Sequence, residues 1–160
     1  MDSTIIQKTD EIRKMVYQHL STIGKRLKDN AGNAKFSLAT LSGAENVEFL
    51  QYVRSSAAHV TAEIPDLLVK FNVDDDDVEI FVSKPRWKDA TSEAFEKSVM
   101  AAIVACTTYE IISAYAPDYS KKYAEDANTC LQDMIRHAYM VTKPPMSGRK
   151  IEECKGSVEF

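Results

Sequence analysis

The fold is decided by SEAFEKSVMAAIVACTTYEIISAY (92–115) and YSKKYAEDANTCLQDMIRHAYM (119–140), two strongly patterned segments joined at Ala116-Pro117-Asp118. The first segment is apolar around most of its middle, from Val99 to Cys106, so other elements must surround it. The second has one apolar stripe with steps of three or four residues, which predicts a helix with one buried face. That stripe consists of Tyr119, Tyr123, Ala127, Cys130/Leu131, Met134 and Ala138. Together the segments predict a packed helical hairpin, with helices at about 91–115 and 118–141.

Two further helices are predicted in the first half of the chain. Apolar residues recur at helical spacing from Ile12 to Leu27, which predicts a first helix over 3–29. A second helix is predicted over 43–66, because Ser42 and Glu45 fit a capping box at its start. Pro65 is expected to end or kink this helix, since its ring displaces the preceding turn.

The apolar pattern changes between the second and third helices. Residues 68–83 contain a β-branched and aromatic run that alternates with polar residues, and this predicts a β-hairpin with Asp74–Asp77 at its tip. A lone hairpin is marginal in water, so it must pack on the helices or pair with another chain. Lys143-Pro144-Pro145 stops regular structure, and 142–160 has the composition of an extended tail. The predicted fold class is mainly α: a four-helix bundle-like single domain over 1–141, one small β-hairpin and a C-terminal tail.

Composition sets the class of protein. The 160 residues are 44% hydrophobic and 28% charged, which is typical of a globular domain. The net charge of −4 argues against a protein whose main role is to bind nucleic-acid phosphates. The three cysteines are widely spaced, as in a reducing compartment. No signal peptide is recognisable, and the longest apolar run is far shorter than a membrane span. We expect a protein made in the cytoplasm with no membrane partner.

No catalytic, metal or cofactor motif is recognisable. His19, His59 and His137 are isolated from one another, and the aspartate run lacks the alternation, glycine and distal glutamate of an EF-hand loop. The run is interpreted as a solvated turn, or as an acidic surface that faces DNA or a partner. We find no nucleophile elbow, P-loop or HExxH sequence. The chain is therefore expected not to be an enzyme, and to use no cofactor, metal or small-molecule substrate.

Three stretches resemble the head–tail connector (adaptor) proteins of tailed bacteriophages. RSSAAHVTAEIPDLL at 54–68 is similar to the amphipathic helix of that family. FEKSVMAAIVACTTYEIISAY at 95–115 resembles its buried central helix, and SKKYAEDANTCLQDMI at 120–135 its final helix. The resemblance covers about 54–140, and the helix predicted over 3–29 is an addition to the family pattern.

The resemblance implies a structural virion protein of the neck, between head and tail. Copies of the chain would form a ring of about a dozen subunits around the DNA channel, in contact with portal and tail proteins. Its acidic charge suits a channel through which DNA slides without sticking, because few counterions are released on contact. The hairpin and the tail are the expected contact segments, since neither stabilises itself. The hypothesised interface residues are Phe71, Val73, Val78, Ile80, Val82, Trp87, Pro144, Pro145, Met146, Ile151 and Phe160, and Asp74, Asp75, Asp76 and Asp77 form an acidic surface toward DNA or a partner.

Two other functions stay open. A cytosolic helical adaptor or regulatory protein would bind a protein partner through Trp87, an aromatic residue flanked by Arg86 and Lys88 that serves either to pin its loop or to anchor a partner. An enzyme with a pocket between the helices would need convergent His, Asp and Glu side chains. A stable monomer with one specific protein ligand would favour the adaptor, and genes for portal, capsid and tail proteins beside this one would favour the connector.

Overall fold

The computed structural model describes residues 2–24, 43–83 and 89–140. The chain order is one strand, two helices, two strands and two helices. We number them β1 (Asp2–Lys8), α1 (Thr9–Gly24), α2 (Gly43–Ala62), β2 (Leu68–Val73), β3 (Asp77–Ser83), α3 (Asp89–Tyr115) and α4 (Ser120–Ala138). The predicted mainly helical class with a small sheet is confirmed.

The helix α3 is the centre of the fold, as its apolar sequence predicts. It packs against α1, α2 and α4, and its side chains Phe95, Val99, Ile103 and Ile112 are fully buried. By length and composition, Ser92–Tyr115 is also apolar enough to cross a membrane, but 56% of its most apolar stretch is buried inside the fold. Because α3 packs against three other helices, its apolar sequence is that of a core helix.

The amphipathic pattern of α4 is borne out in the structure. Four residues of the predicted stripe are buried against the core, and they are Ala127, Leu131, Met134 and Ala138. Pro117–Tyr119 forms a single 3-10 turn, so the α-helix begins at Ser120 and not at 118. Tyr119, at the edge of this turn, is 52% exposed and does not join the core.

The prediction of a helix from residue 3 is wrong, because residues 2–8 form β1. This strand pairs antiparallel with β3 along its whole length, from Asp2 beside Ser83 to Lys8 beside Asp77. The helix α1 begins only at Thr9, with Asp10 and Glu11 in its first turn, where acidic side chains suit the helix dipole. The predicted final turn, 25–29, lies outside the described residues.

The sheet therefore has three strands in the order β1-β3-β2, all antiparallel to their neighbours. The hairpin predicted over 68–83 is present as β2 and β3. One face of the sheet packs on the helices: Ile5, Val78, Ile80 and Val82 are buried in one cluster with the helix core. Gln7 ties β1 to α3, since its side-chain amide donates to the carbonyl of Glu96 at 3.1 Å.

The helix α2 ends at Ala62, four residues before the predicted end. The chain then turns tightly, with the N–H of Ile64 donating to the carbonyl of Thr61 at 3.2 Å. Pro65 follows at once and prevents a continuing helix. The N–H of Leu68 donates to the carbonyl of Ile64 at 3.0 Å, so this turn delivers the chain directly into β2.

Candidate functional site

The aspartate run at the hairpin tip is a folded turn. A carboxylate oxygen of Asp74 accepts the backbone N–H groups of Asp76 at 3.0 Å and Asp77 at 2.7 Å. The N–H of Asp74 in turn donates to the carbonyl of Asp77 at 3.0 Å and closes the loop. This is the local side-chain to backbone bonding that makes aspartate a turn former. The solvated-turn interpretation is confirmed for these residues.

The same turn holds the junction between β1 and α1. The N–H of Thr9 donates to the carbonyl of Asp76 at 2.9 Å, and the ammonium of Lys8 lies 2.8 Å from the carboxylate of Asp77. Hydrogen bonds from the backbone of Asp77 and Asp76 lower the pKa of Asp74, and the bond to Asp77 raises the pKa of Lys8. Asp74, Asp75 and Asp76 are exposed and Asp77 is half-buried, and the carboxylates of Asp74 and Asp77 are engaged within this structure.

Four of the hypothesised interface residues lie in the chain's own core. Val73, Val78, Ile80 and Val82 are at most 8% exposed, because they occupy the sheet face that packs on the helices. The hairpin thus satisfies its need for a partner within the chain. These four side chains are not available to a second protein unless the fold opens.

Phe71 is the hypothesised interface residue of the hairpin that is exposed. It lies on β2, which has a free outer edge among the described strands because β3 occupies the inner one. Phe71 is 38% exposed and Val69 is 58% exposed. The register shifts between Leu68 and Lys70, and this irregularity leaves Val69 without a paired residue on β3. An exposed apolar edge of this kind is a template for pairing with another chain.

The end of α4 lies next to the start of β2. Tyr139 lies close enough to Asp66, two residues before β2 begins, for the Asp66 charge to add to desolvation in raising the pKa of the Tyr139 hydroxyl. Tyr139 is 43% exposed and Met140 is 54% exposed. We call Val69, Lys70, Phe71, Tyr139 and Met140 the β2-edge surface. It combines an open strand edge with four exposed apolar side chains and one cation.

Lys70 supplies the positive charge of this surface. Its ammonium lies 4.4 Å from the centre of the Phe81 ring on the neighbouring strand, a cation–π contact on the sheet face away from the helices. The cation is exposed. It lies on β2, the strand with the open edge.

A second polar region lies between α2 and α3. The hydroxyl of Ser55 donates to Glu110 at 3.0 Å, and the hydroxyls of Tyr52 and Tyr115 both donate to Glu48. Burial raises the pKa of the Glu110 carboxyl, while Ser55 and the nearby His59 oppose that rise. The Ser55–Glu110 and Tyr115–Glu48 bonds join the antiparallel helices α2 and α3, whereas the Tyr52–Glu48 bond lies within α2.

The cysteines and histidines of the described residues are not gathered into a metal site. Cys106 and Cys130 are free thiols, and burial raises the pKa of Cys106 to about 12, which suppresses its thiolate. No group of three His, Cys, Asp or Glu side chains within 2–24, 43–83 and 89–140 is placed to hold a metal ion.

The remaining hypothesised interface residues lie outside the described residues, and they are Trp87, Pro144, Pro145, Met146, Ile151 and Phe160. Comparison with protein families, with curated proteins and with solved structures finds no match to this chain.

The sequence did not predict the β2-edge surface, because Tyr139 and Met140 look like the last turn of a core helix. The sequence signal for their exposure is that both residues follow Ala138, the last residue of the buried stripe.

Proposed function

We propose that this chain is a structural subunit of the head–tail connector of a tailed bacteriophage. Identical copies form a ring in the neck of the virion, joining portal to tail proteins around the DNA channel. The resemblance that suggests this function runs from 54 to 140, and the three resembling stretches fall on the end of α2 with its following turn, on α3 and on α4. The stretch expected to be a buried central helix is the helix that contacts the other three.

The observation that carries the proposal is the β2-edge surface. A ring requires a heterologous contact, in which one patch of each copy meets a different patch of the next. An unpaired strand edge can pair with a strand of another chain. Exposed apolar patches on soluble proteins also mark interaction sites. Val69 and Met140 are both more than half exposed on this surface.

The acidic turn fits a position near DNA that does not bind it. Asp75 and Asp76 are exposed at the tip of the hairpin, and the chain carries a net charge of −4. A carboxylate surface releases no counterions from DNA and so gives it no electrostatic hold. In the proposed ring, this tip faces the channel, and its role is to let DNA pass.

The proposed function is mechanical. It assigns the chain no reaction, cofactor, metal or small-molecule substrate and no membrane partner. The protein is made in the host cytoplasm and ends in the virion neck. The apolar sequence of α3 serves the core of each subunit, because its side chains pack on three other helices.

Electron microscopy of the purified chain, alone and mixed with a portal preparation, tests the proposal. We expect closed rings with a central opening, either free or seated on the portal. The matched control is the Val69→Asp variant, which places a charge on the β2-edge surface and should not form rings. A wild-type sample that forms no ring under either condition would contradict the proposed function.

A further inference from the structure

We propose that a cavity at the start of α4 receives the β2-edge surface of the next copy of this chain. This inference rests on the proposed function, because a ring needs two different patches on each copy and the β2-edge surface supplies only one of them. The second patch is identified from the cavity itself, from the charges that line it and from its position along α4.

The cavity has a volume of about 610 Å³ and lies where the last turn of α1 approaches the start of α4. Thr22 lines it from α1. Its other lining residues belong to the turn before α4 and to the first turns of that helix, and they are Asp118, Tyr119, Lys121, Lys122, Tyr123 and Glu125. We call these residues together the α4-start cavity. Its volume falls within the roughly 300–1,000 Å³ in which proteins hold ligands, so it has room for side chains of a partner.

Two tyrosines give the cavity an aromatic lining. Tyr119 and Tyr123 are four residues apart, so they lie on the same side of α4. Tyr119 is 52% exposed, and Tyr123 is half-buried. Tyrosine rings supply large apolar areas at contacts between proteins. The groups that they contact in the proposed ring are the exposed apolar side chains of the β2-edge surface, Val69, Phe71 and Met140.

The charges that line the cavity complement those of the β2-edge surface. Within the described part of the chain, no ion pair involves the four charged lining residues, Asp118, Lys121, Lys122 and Glu125. Both signs also occur at the β2-edge surface, where Lys70 is exposed and the exposed Asp66 lies close to Tyr139. The ammonium of Lys70 can therefore meet a carboxylate of the cavity, and the carboxylate of Asp66 can meet one of its lysines. Such pairs fix the register of a contact more than they add affinity.

The two patches lie at opposite ends of one helix. Tyr119 is the residue before α4 begins, and Tyr139 is the residue after it ends. The 19 residues between them span roughly 28 Å at about 1.5 Å per residue. Each copy can therefore offer one patch to one neighbour and the other patch to the next. A heterologous contact requires this arrangement, whereas a patch that met its own equivalent would close a dimer and stop there.

Mixing two assembly-defective variants tests the inference. Val69→Asp places a carboxylate on the β2-edge surface, and Tyr119→Asp places one in the α4-start cavity beside Asp118. Tyr119 is the N-cap residue of α4, a position that favours aspartate, so this variant should fold. Lys121→Glu reverses an exposed charge of the cavity and takes its place if Tyr119→Asp does not fold. Val47→Asp is the control for an added charge, because Val47 is 59% exposed and lies on α2.

Circular dichroism checks the fold of each variant, and light scattering measures its mass with and without a portal preparation. We expect multimers from wild type and from Val47→Asp, and at least tenfold less multimer from Val69→Asp or Tyr119→Asp alone. An equimolar mixture of these two defective variants should give dimers that grow no further. Each variant keeps the patch that the other has lost, so one intact contact joins a pair whose remaining patches both carry the added carboxylate.

Two results would overturn the inference while wild type still assembles. One is a multimer from Tyr119→Asp at the level of the Val47→Asp control, and the other is a mixture of the defective variants that contains no dimer. Either result leaves the proposed function standing. Absence of any wild-type multimer, with or without the portal, contradicts the proposed function and this inference with it.

Discussion

The carboxylate of Asp74 lies 2.7 Å from the backbone nitrogen of Asp77, and this bond organises four consecutive aspartates into a turn. The same carboxylate also accepts the N–H of Asp76. The carbonyl of Asp76 accepts the N–H of Thr9. The Asp74 side chain thus closes the hairpin tip, and the carbonyl of Asp76 in the same turn holds the junction between β1 and α1. The acidic tip that we propose to face the DNA channel is therefore a hydrogen-bonded turn.

Replacing Asp74 should destabilise the protein. Asp74→Ala removes the acceptor of two backbone N–H groups and should lower the melting temperature by several degrees. Asp74→Asn keeps a side-chain oxygen in the same place, and asparagine forms the same turns, so it should retain most of the stability. Thermal unfolding followed by circular dichroism at pH 7 measures both. Equal melting temperatures for wild type and Asp74→Ala would show that the turn does not depend on this side chain.

The two isoleucines of β1 should respond differently to truncation. Ile5 is 3% exposed and faces the core, so Ile5→Ala should cost about 2–5 kcal/mol of unfolding free energy. Ile6 is 57% exposed, and Ile6→Ala should cost at most about 1 kcal/mol. Urea denaturation of both variants gives the comparison. Similar losses at both positions would contradict a strand with alternating faces over residues 2–8.

Glu110 should make the stability of the protein depend on pH in the acid range. Burial raises the pKa of its carboxyl in the folded state above the usual 4.5, so folding favours the protonated form. The buried Glu110 charge therefore costs no stability below pH 4.5. The loss of stability grows as the pH rises through the folded-state pKa and is complete above it. Glu110→Gln keeps an oxygen to accept the Ser55 hydroxyl but removes the charge. The variant should melt slightly above wild type at pH 7 and together with it at pH 4; a lower melting temperature at pH 7 would show that the charge is stabilising.

The β2-edge surface and the tail should affect assembly and leave folding intact. Val69→Asp and a deletion of 142–160 should each abolish the multimer while the circular dichroism spectrum and melting temperature stay close to wild type. Val47→Asp is the matched control, because this valine has the same exposure but lies on α2, and it should assemble normally. Size-exclusion chromatography with light scattering measures all four proteins. A truncated protein that still assembles would rule out the tail as a subunit contact.

The helical hairpin and the β-hairpin were predictable because their signals are local. A buried helix is apolar around its circumference, α4 carries one stripe, and β3 alternates between Val78, Ile80 and Val82 on one face and polar residues on the other. Each pattern lies within a single segment of the chain. Pro65 and Pro117 also marked the ends of helices from sequence alone.

The strand β1 was not predictable from its own residues. Ile5 lies seven residues before Ile12, which continues the helical spacing of Ile12, Val16 and Leu20 backwards into the strand. What makes residues 2–8 a strand is pairing with β3, about 75 residues along the chain. The β-branched Ile5 and Ile6, and Thr9 before two acidic residues, were the local signs of the true helix start.

The exposed apolar residues of the hairpin were only partly predictable, because their burial also depends on contacts with distant parts of the chain. An apolar strand face shows that something must cover it, and the sequence does not show whether the cover belongs to the same chain. Val73, Val78, Ile80 and Val82 are covered by the helices of their own chain, whereas Phe71 at the strand edge stays 38% exposed. Only the three-dimensional arrangement separates these two groups.

The most direct test of the connector function is the mass of the purified protein in solution, measured by light scattering with and without a portal preparation. We predict a closed multimer of about a dozen copies, either by itself or formed on the portal. A protein that keeps the mass of a single chain in both samples would contradict the account.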